Sequence, residues 1–168
     1  MKNPVLDMVK ITKKNIISSL LIIGIFFIDR ISKTIIINLE NSYGAKSYTV
    51  NKFLNFDLIW NEGIAFGMLS FTEKSYYNII TFIIVIVTFV VFLMMLRSYG
   101  FQKYGFLMVF GGSIGNIFDR IYYSSVPDFI DIHFKNFHWF IFNVADIFIS
   151  TGVILLIYSE FYSKKKHD

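Results

Sequence analysis

The stretch YNIITFIIVIVTFVVFLMML, residues 77–96, runs its full length without a charged side chain. A helix that crosses the hydrocarbon core of a bilayer needs about 20 mostly apolar residues, so this segment is read as a transmembrane helix. Working outward from it, three further windows of comparable length lie at 16–39, 104–123 and 139–161, each with ionisable or amide residues inside it or at one end. The predicted fold class is a membrane all-α protein of four transmembrane helices. No repeat, Ser/Gly-rich linker or shift of composition divides the chain, so residues 1–168 are expected to form one domain. Composition agrees: 55% of the 168 residues are hydrophobic and 17% charged, and the mean hydropathy is +0.56, outside the balance of a soluble globule. Twenty Phe and ten Tyr against two Pro and ten Gly exclude a collagenous or low-complexity chain. The absence of Cys removes disulfide frameworks, thiolate zinc sites, iron–sulfur clusters and cysteine nucleophiles.

Lys and Arg are retained on the cytoplasmic side during insertion, so their positions predict orientation. Lys2, Lys10, Lys13 and Lys14 precede the first window, Arg97 and Lys103 separate the second from the third, and Lys164, Lys165 and Lys166 follow the fourth. Both termini are therefore expected to be cytoplasmic. The other two loops balance Lys46, Lys52, Lys74, Arg120 and Lys135 with Glu40, Asp57, Glu62, Glu73, Asp119, Asp128 and Asp131, and are expected outside. The net charge of +4 is thus a matter of topology, and no nucleic-acid partner is expected. A cleaved signal peptide is disfavoured, because no small-x-small pattern follows the first apolar run and Ile35, Ile36 and Ile37 resume it. In the first outer loop, 41–76, Phe56, Leu58 and Trp60 alternate with Asn55, Asp57 and Ile59, which predicts a strand or hairpin on the membrane surface.

Polar residues inside apolar windows carry the functional information. With alternating orientation, Asp29 and Lys33 fall in the outer half of the first span and Asn116, Asp119 and Arg120 at the outer end of the third. Asn143 and Asp146 fall near the outer start of the fourth span, with Asp146 placed roughly 10 Å below Trp139 if the span is helical throughout. Asn61 and Asp128 lie in the two outer loops. One shared depth favours a site over a conduction path. Spacing of three or four puts Asn116 with Arg120, Asn143 with Asp146, and Asp29 with Lys33 on common helix faces. Local ion pairs, Asp29 with Lys33 and Asp119 with Arg120, would lower the insertion cost. Asp146 has no Lys or Arg within a turn or two.

Two carboxylates able to approach one another, Asp128 in a loop and Asp146 on a helix, meet the requirement of an aspartic protease. Like charges at about 3 Å cannot both ionise, so such a pair shares a proton; one carboxylate activates water and the other bonds the scissile carbonyl. A proton relay or a small binding or proton-coupled transport protein, with Asp29, Asp119 and Asp146 as carriers, remains open on spacing alone. Other motifs are weaker. Gly111-Gly112-Ser113-Ile114-Gly115 lacks the Gly-Lys-Ser/Thr of a phosphate loop, and Gly111 and Gly115 suit close helix packing. His133 and His138 have no zinc-protease motif around them and are expected at the surface or interface; no metal and no cofactor is expected. Ser32 and Lys33, as helix neighbours, point about 100° apart and do not form a Ser-Lys pair. Trp139, Phe140 and Phe142 read as an interfacial aromatic belt.

Five stretches together resemble the bacterial lipoprotein signal peptidases, or signal peptidases II, which are integral membrane aspartyl endopeptidases. They are Asp29-Arg30-Ile31-Ser32-Lys33, Asn61-Glu62-Gly63-Ile64-Ala65-Phe66-Gly67, the run from Gly111 through Asn116 to Asp119-Arg120, Val126-Pro127-Asp128-Phe129-Ile130-Asp131, and Phe142-Asn143-Val144-Ala145-Asp146. The resemblance implies that Asp128 and Asp146 are catalytic, that Asn61, Asn116, Arg120 and Asn143 support the site or substrate, and that Asp29 with Lys33 stabilises it. It implies diacylglyceryl-modified prolipoproteins as substrates, cut just before the lipidated cysteine, with membrane lipids as surroundings and globomycin-type cyclic peptides as inhibitors. It further implies the bacterial cytoplasmic (inner) membrane, an active site at its outer face and a β-cradle in the first outer loop. Two features depart from the pattern: Phe140 stands where the family often has Pro, and Glu62 adds a negative charge beside the second stretch.

Overall fold

The computed structural model describes residues 4–44, 47–63 and 74–164. Lys2, Lys46, Glu73, Lys165 and Lys166 of the charge pattern, and residues 64–67 of the second motif, lie outside the described residues. In chain order the elements are α1 (Pro4–Tyr43), β1 (Ser47–Asn51), β2 (Leu54–Asn61), α2 (Lys74–Arg97), α3 (Gly100–Tyr123), β3 (Val126–Phe134), β4 (Phe137–Phe142) and α4 (Val144–Lys164). Two helices, Tyr77–Arg97 and Val144–Tyr162, are long and apolar enough to cross a membrane. α1 and α3 carry buried charges within their length, Asp29 and Lys33 on the first and Asp119 and Arg120 on the second. On α1, Ile16, Leu20, Ile23, Phe27, Ile31 and Ile35 are all about half exposed and recur at helical spacing. Such a stripe would be costly in water and is ordinary against lipid.

The hairpin expected within 41–76 forms as β1 and β2, and the Asn51 side-chain oxygen accepts the Phe53 amide at 2.8 Å to close its turn. Sequence alternation does not anticipate its extension. β3 and β4 come from the segment between α3 and α4 and join β1 and β2 in one antiparallel meander of order β1-β2-β3-β4. The strand class expected for the first loop alone is therefore half of the observed sheet. The fourth helix also begins later than the expected 139. Residues 137–142 pair with β3, and α4 starts at Val144, so the roughly 10 Å helical offset from Trp139 does not apply and Asp146 sits in the first helical turn. Apolar character alone does not separate strand from helix in Phe137–Phe142, and cross-strand pairing decides it. Phe140 lies in β4, so the chain enters α4 from a strand.

Two apolar clusters bracket a polar layer. At the sheet end, Ile36, Leu58 and Phe129 pack with Ile37, Leu39, Phe56, Ile130 and Val144. At the other end, Met95, Phe106 and Leu107 pack with Leu21, Ile22, Val91, Phe92, Phe110 and Leu156. Between them, small residues let the helices approach. A Cβ on Gly111 would meet Ile25 at 3.2 Å, and one on Gly115 would meet the Asp29 carboxylate at 2.7 Å. The tightest case is Gly112, where an added Cβ would lie 2.6 Å from the Ala145 carbonyl oxygen, a backbone atom in the first turn of α4. Gly112→Ala is therefore expected to destabilise by about 1–3 kcal/mol, as overpacking does. Gly24→Ala, where nothing lies within 4 Å, should be neutral or slightly stabilising. Thermal unfolding of the two variants in detergent checks the contrast, and equal melting would refute it.

Candidate active site

The polar layer is built from α1 outward. Lys33 is fully buried, and its ammonium donates to Asp29 Oδ2 at 2.8 Å, Asn116 Oδ1 at 2.9 Å and Asp119 Oδ2 at 2.6 Å. Arg30 pairs with the other Asp119 oxygen at 2.5 Å and lies over the Phe118 ring. Two cations and two carboxylates thus neutralise one another, which is the condition for keeping them in an apolar interior. The expected Asp29–Lys33 pair is present. The expected Asp119–Arg120 pair is not: adjacent helical residues diverge, Asp119 turns to α1, and Arg120 donates instead to the Gly63 carbonyl while its guanidinium faces the Tyr77 ring.

From this base the contacts reach two further acids. Asn116, oriented by Lys33, donates its amide to Asp146 Oδ1 at 2.8 Å. Asn143 is the N-cap of α4: its side-chain oxygen accepts the Asp146 amide at 3.0 Å, and Asp146 Oδ2 accepts the Asn143 amide at 3.3 Å. This reciprocal arrangement is a capping box, with the acid at the third helical position. The expectation that Asn143 and Asp146 share a helix face is thereby refined, since Asn143 stands just outside the helix. The same Asn143 side chain donates to Asp128 Oδ1 at 2.6 Å. Asp29 completes the support by accepting the Ala145 amide at 2.9 Å, so two of the free amides that begin α4 have side-chain acceptors.

Asp128 arrives from the sheet. A bulge in β2 between Phe56 and Ile59 shifts the register and changes which side chains face inward, so that Asn61 is buried and Trp60 packs outward on Tyr123. Asn61 then donates to Asp128 Oδ2 at 2.8 Å. Both oxygens of Asp128 are held by amides. Burial pushes Asp128 up to about 7, and the nearby Asp146 charge adds to the rise against the lowering effect of the two asparagines.

Asn61, Asn116, Arg120, Asp128, Asn143 and Asp146 line one cavity of about 210 Å³. Asp29 and Lys33 are not among its lining residues and connect to it through the Ala145 amide and Asn116. Ile84 of α2, Ser113 of α3, Val126 of β3, and Ile149 and Ser150 of α4 complete the walls; Ser113 and Val126 stand in quoted stretches without an assigned role, and the other three have no signal in the sequence. Arg30 stands in the first of the five stretches without an assigned role, although any arginine inside an apolar span requires a partner. His133 and His138, expected at the surface, lie away from this cavity on the β3–β4 pair.

Residues 21–162 match the profile of signal peptidase (SPase) II. The lipoprotein signal peptidase of Pelagibacter ubique (strain HTCC1062) is 47% identical over 159 residues, covering 94% of this chain and 96% of that one. The chain belongs to the signal peptidase II family. The lipoprotein signal peptidase of Wigglesworthia glossinidia brevipalpis is 37% identical over 148 residues, covering 85% and 93% of the two chains. Two solved bacterial membrane enzymes, both determined by the in meso method, share the fold. One, at 2.3 Å resolution, has a TM-score of 0.69 and 27% identity over 90% of this chain and 91% of that one. The other, at 1.9 Å, has a TM-score of 0.65 and 32% identity over 84% and 90%. Signal peptidase II membership and these membrane-enzyme neighbours explain the lipid-compatible surface of the helices, since exposed Ile, Leu and Phe are then solvated by acyl chains.

Proposed function

We propose that this protein is an aspartic endopeptidase that removes the signal peptide from diacylglyceryl-modified prolipoproteins, hydrolysing the peptide bond just before the lipidated cysteine, with Asp128 and Asp146 as its dyad. One observation carries the proposal: the single side chain of Asn143 bonds Asp128 and caps Asp146, so acids from β3 and α4 open on one cavity. In the reaction the ionised carboxylate of the pair takes a proton from water as its oxygen attacks the scissile carbonyl carbon. The protonated partner gives its hydrogen bond, and then its proton, to the carbonyl oxygen. As the C–N bond breaks, the proton taken from water passes to the departing nitrogen and one hydroxyl of the tetrahedral intermediate returns its proton to the other carboxylate, which leaves the new acid and restores the singly protonated pair. The two sites titrate as a unit.

The proposed setting is the bacterial cytoplasmic membrane, with α1 to α4 spanning it as one peptidase domain, both termini cytoplasmic and the dyad at the outer face. Arg97 and Lys103 flank the α2–α3 junction, at the end of the helices away from the sheet, in keeping with that orientation. The principal neighbour of α2 is α3. Ile84 of α2 and Ile149 of α4 face the cavity and suit the acyl-bearing side of the substrate. Arg120, with one buried nitrogen lacking a partner among the described residues, suits a substrate carbonyl or ester.

The test is cleavage of a diacylated lipobox peptide by the purified protein. Cleavage is expected, with an unlipidated peptide poorly cut and a globomycin-type peptide inhibitory. The rate should fall as pH rises above about 7, because the pair then loses its proton. The stability sign follows from the same shift. A carboxyl raised from 3.8 to about 7 by folding stabilises the fold fully below pH 3.8, and that contribution is lost as pH rises to about 7. No turnover of the lipidated peptide at any pH, in protein that binds it, would refute the assignment.

A further inference from the structure

Outside the cavity, the β3–β4 pair brings together a second group of chemically distinctive side chains. Asp131 and His133 are two apart on β3, so they share a face. His133 lies directly across from His138 of β4. One donor atom from each of Asp131, His133 and His138 falls within 4.8 Å of the other two. His138 Nδ1 is 2.8 Å and His133 Nδ1 3.8 Å from Asp131 Oδ2, and the two rings stack with centroids 5.2 Å apart.

The burial of this group is what a simple surface ion pair does not explain. Asp131 is fully buried, yet its Oδ1 has no hydrogen-bond partner among the described residues, and neither does the buried Nδ1 of His133. Two buried polar atoms of this one group, Asp131 Oδ1 and His133 Nδ1, are thus costly as they stand, and a cation held by the three side chains would offset that cost. Asn55, opposite Asp131 on β2, reaches the same carboxylate weakly at 3.5 Å and helps fix its plane. Two imidazole nitrogens with one carboxylate oxygen suit a borderline cation such as zinc, whereas calcium and magnesium prefer all-oxygen shells. Zinc takes nitrogen at about 2.0–2.1 Å, so side-chain rotations that draw the three donors inward would complete the shell.

We infer that Asp131, His133 and His138 form a binding site for one zinc-class divalent cation, clipping β3 to β4 on the sheet. The site is separate from the proposed dyad: Asp128 is an odd number of residues from Asp131 on β3 and so faces the other side. Its occupancy therefore does not depend on the peptidase assignment.

The experiment is calorimetric titration of chelator-stripped, untagged full-length protein in detergent with Zn²⁺. Wild type is expected to bind one Zn²⁺ per chain, with His138→Ala weakening binding by at least about tenfold, while His167→Ala binds as wild type. His138 is half exposed, so its replacement should lower the melting temperature of the stripped protein by no more than a few degrees, the cost of the contact to Asp131. Bound Cu²⁺ should show hyperfine coupling to two imidazole nitrogens by electron paramagnetic resonance, reduced to one in His133→Ala or His138→Ala. Equal Zn²⁺ affinity in wild type and His138→Ala, or equal displacement of Zn²⁺ by Mg²⁺, would overturn the site.

Discussion

Asp146→Asn, and separately Asp128→Asn, is expected to lower kcat for a diacylated lipobox peptide by at least about 10⁴-fold while the protein still folds and binds substrate. The magnitude is that of losing one member of a group that acts as a unit. The amide has nearly the size of the carboxyl but neither shares the proton nor takes one from water. The structural cost is smaller. At Asp146, one oxygen accepts Asn116 and the other the Asn143 backbone amide, so the amide group loses only the longer bond, at 3.3 Å, for about 1 kcal/mol. At Asp128, Asn61 or Asn143 must turn its amide, since both carboxylate oxygens accept. The Asp128 variant should also lose the wild type's decline in stability between pH 4 and 7, which is at most about 1.4 kcal/mol per pH unit. Single-turnover rates with thermal melts separate the two effects. Cleavage within tenfold of wild type in either variant would remove the dyad.

The second large effect is on folding. Lys33→Met should destabilise by about 3–5 kcal/mol, because it leaves Asp29 and Asp119 facing each other in an apolar interior with the Lys33 charge gone. Arg30 still holds one oxygen of Asp119, but it does not reach the role Lys33 plays for Asn116. Lys33→Arg should not restore stability, since a planar guanidinium does not fit three partners arranged around a point charge. Adding Asp29→Asn to Lys33→Met should recover part of the loss, because Asp29 is the carboxylate left without a cation while Arg30 still pairs with Asp119. Unfolding in detergent gives the measurement, and a Lys33→Met protein within about 1 kcal/mol of wild type would mean that the network is not what holds α1 to α3.

These two effects share a cause that explains how much of the site is legible in the chain. Asp29, Lys33, Asn116 and Asp146 stand out because each is polar inside an apolar run, and a polar group in lipid needs a reason. Asn143 stands out in the same way, as a polar residue in a window read as helical from 139, and its place as the cap that starts α4 emerges only from the structure. Asp119 is visible too, but its partner is not. The sequence neighbour Arg120 is the obvious choice, and helical geometry sends the two apart, so that Asp119 meets Arg30 and Lys33 from α1. Partnership across helices depends on rotation about each axis, which close approach at Gly112 and Gly115 sets.

The sheet marks the same boundary more sharply. The β1–β2 hairpin is written in alternating residues, whereas VPDFIDIHF and FHWFIF carry no clean alternation and become strands because each finds a paired edge. β3 is an inner strand, and its side chains are enclosed over most of its first half, so no solvent-facing period survives. Asp131, His133 and His138 are visible in sequence but not as a group, since only the β3–β4 register faces the two histidines.

The chain by itself determined that four apolar windows exist, where their polar interruptions fall and which acids lack a local counter-charge, because hydropathy and helical spacing are properties of adjacent residues. Only the tertiary structure decided which side chains meet: that Asn143 links Asp128 to Asp146, that Asp119 belongs to α1, and that α4 begins after a strand. The physical reason is that hydrogen bonds and ion pairs at 2.6–3.0 Å depend on backbone register and helix rotation, and those are fixed by packing between segments distant in the chain.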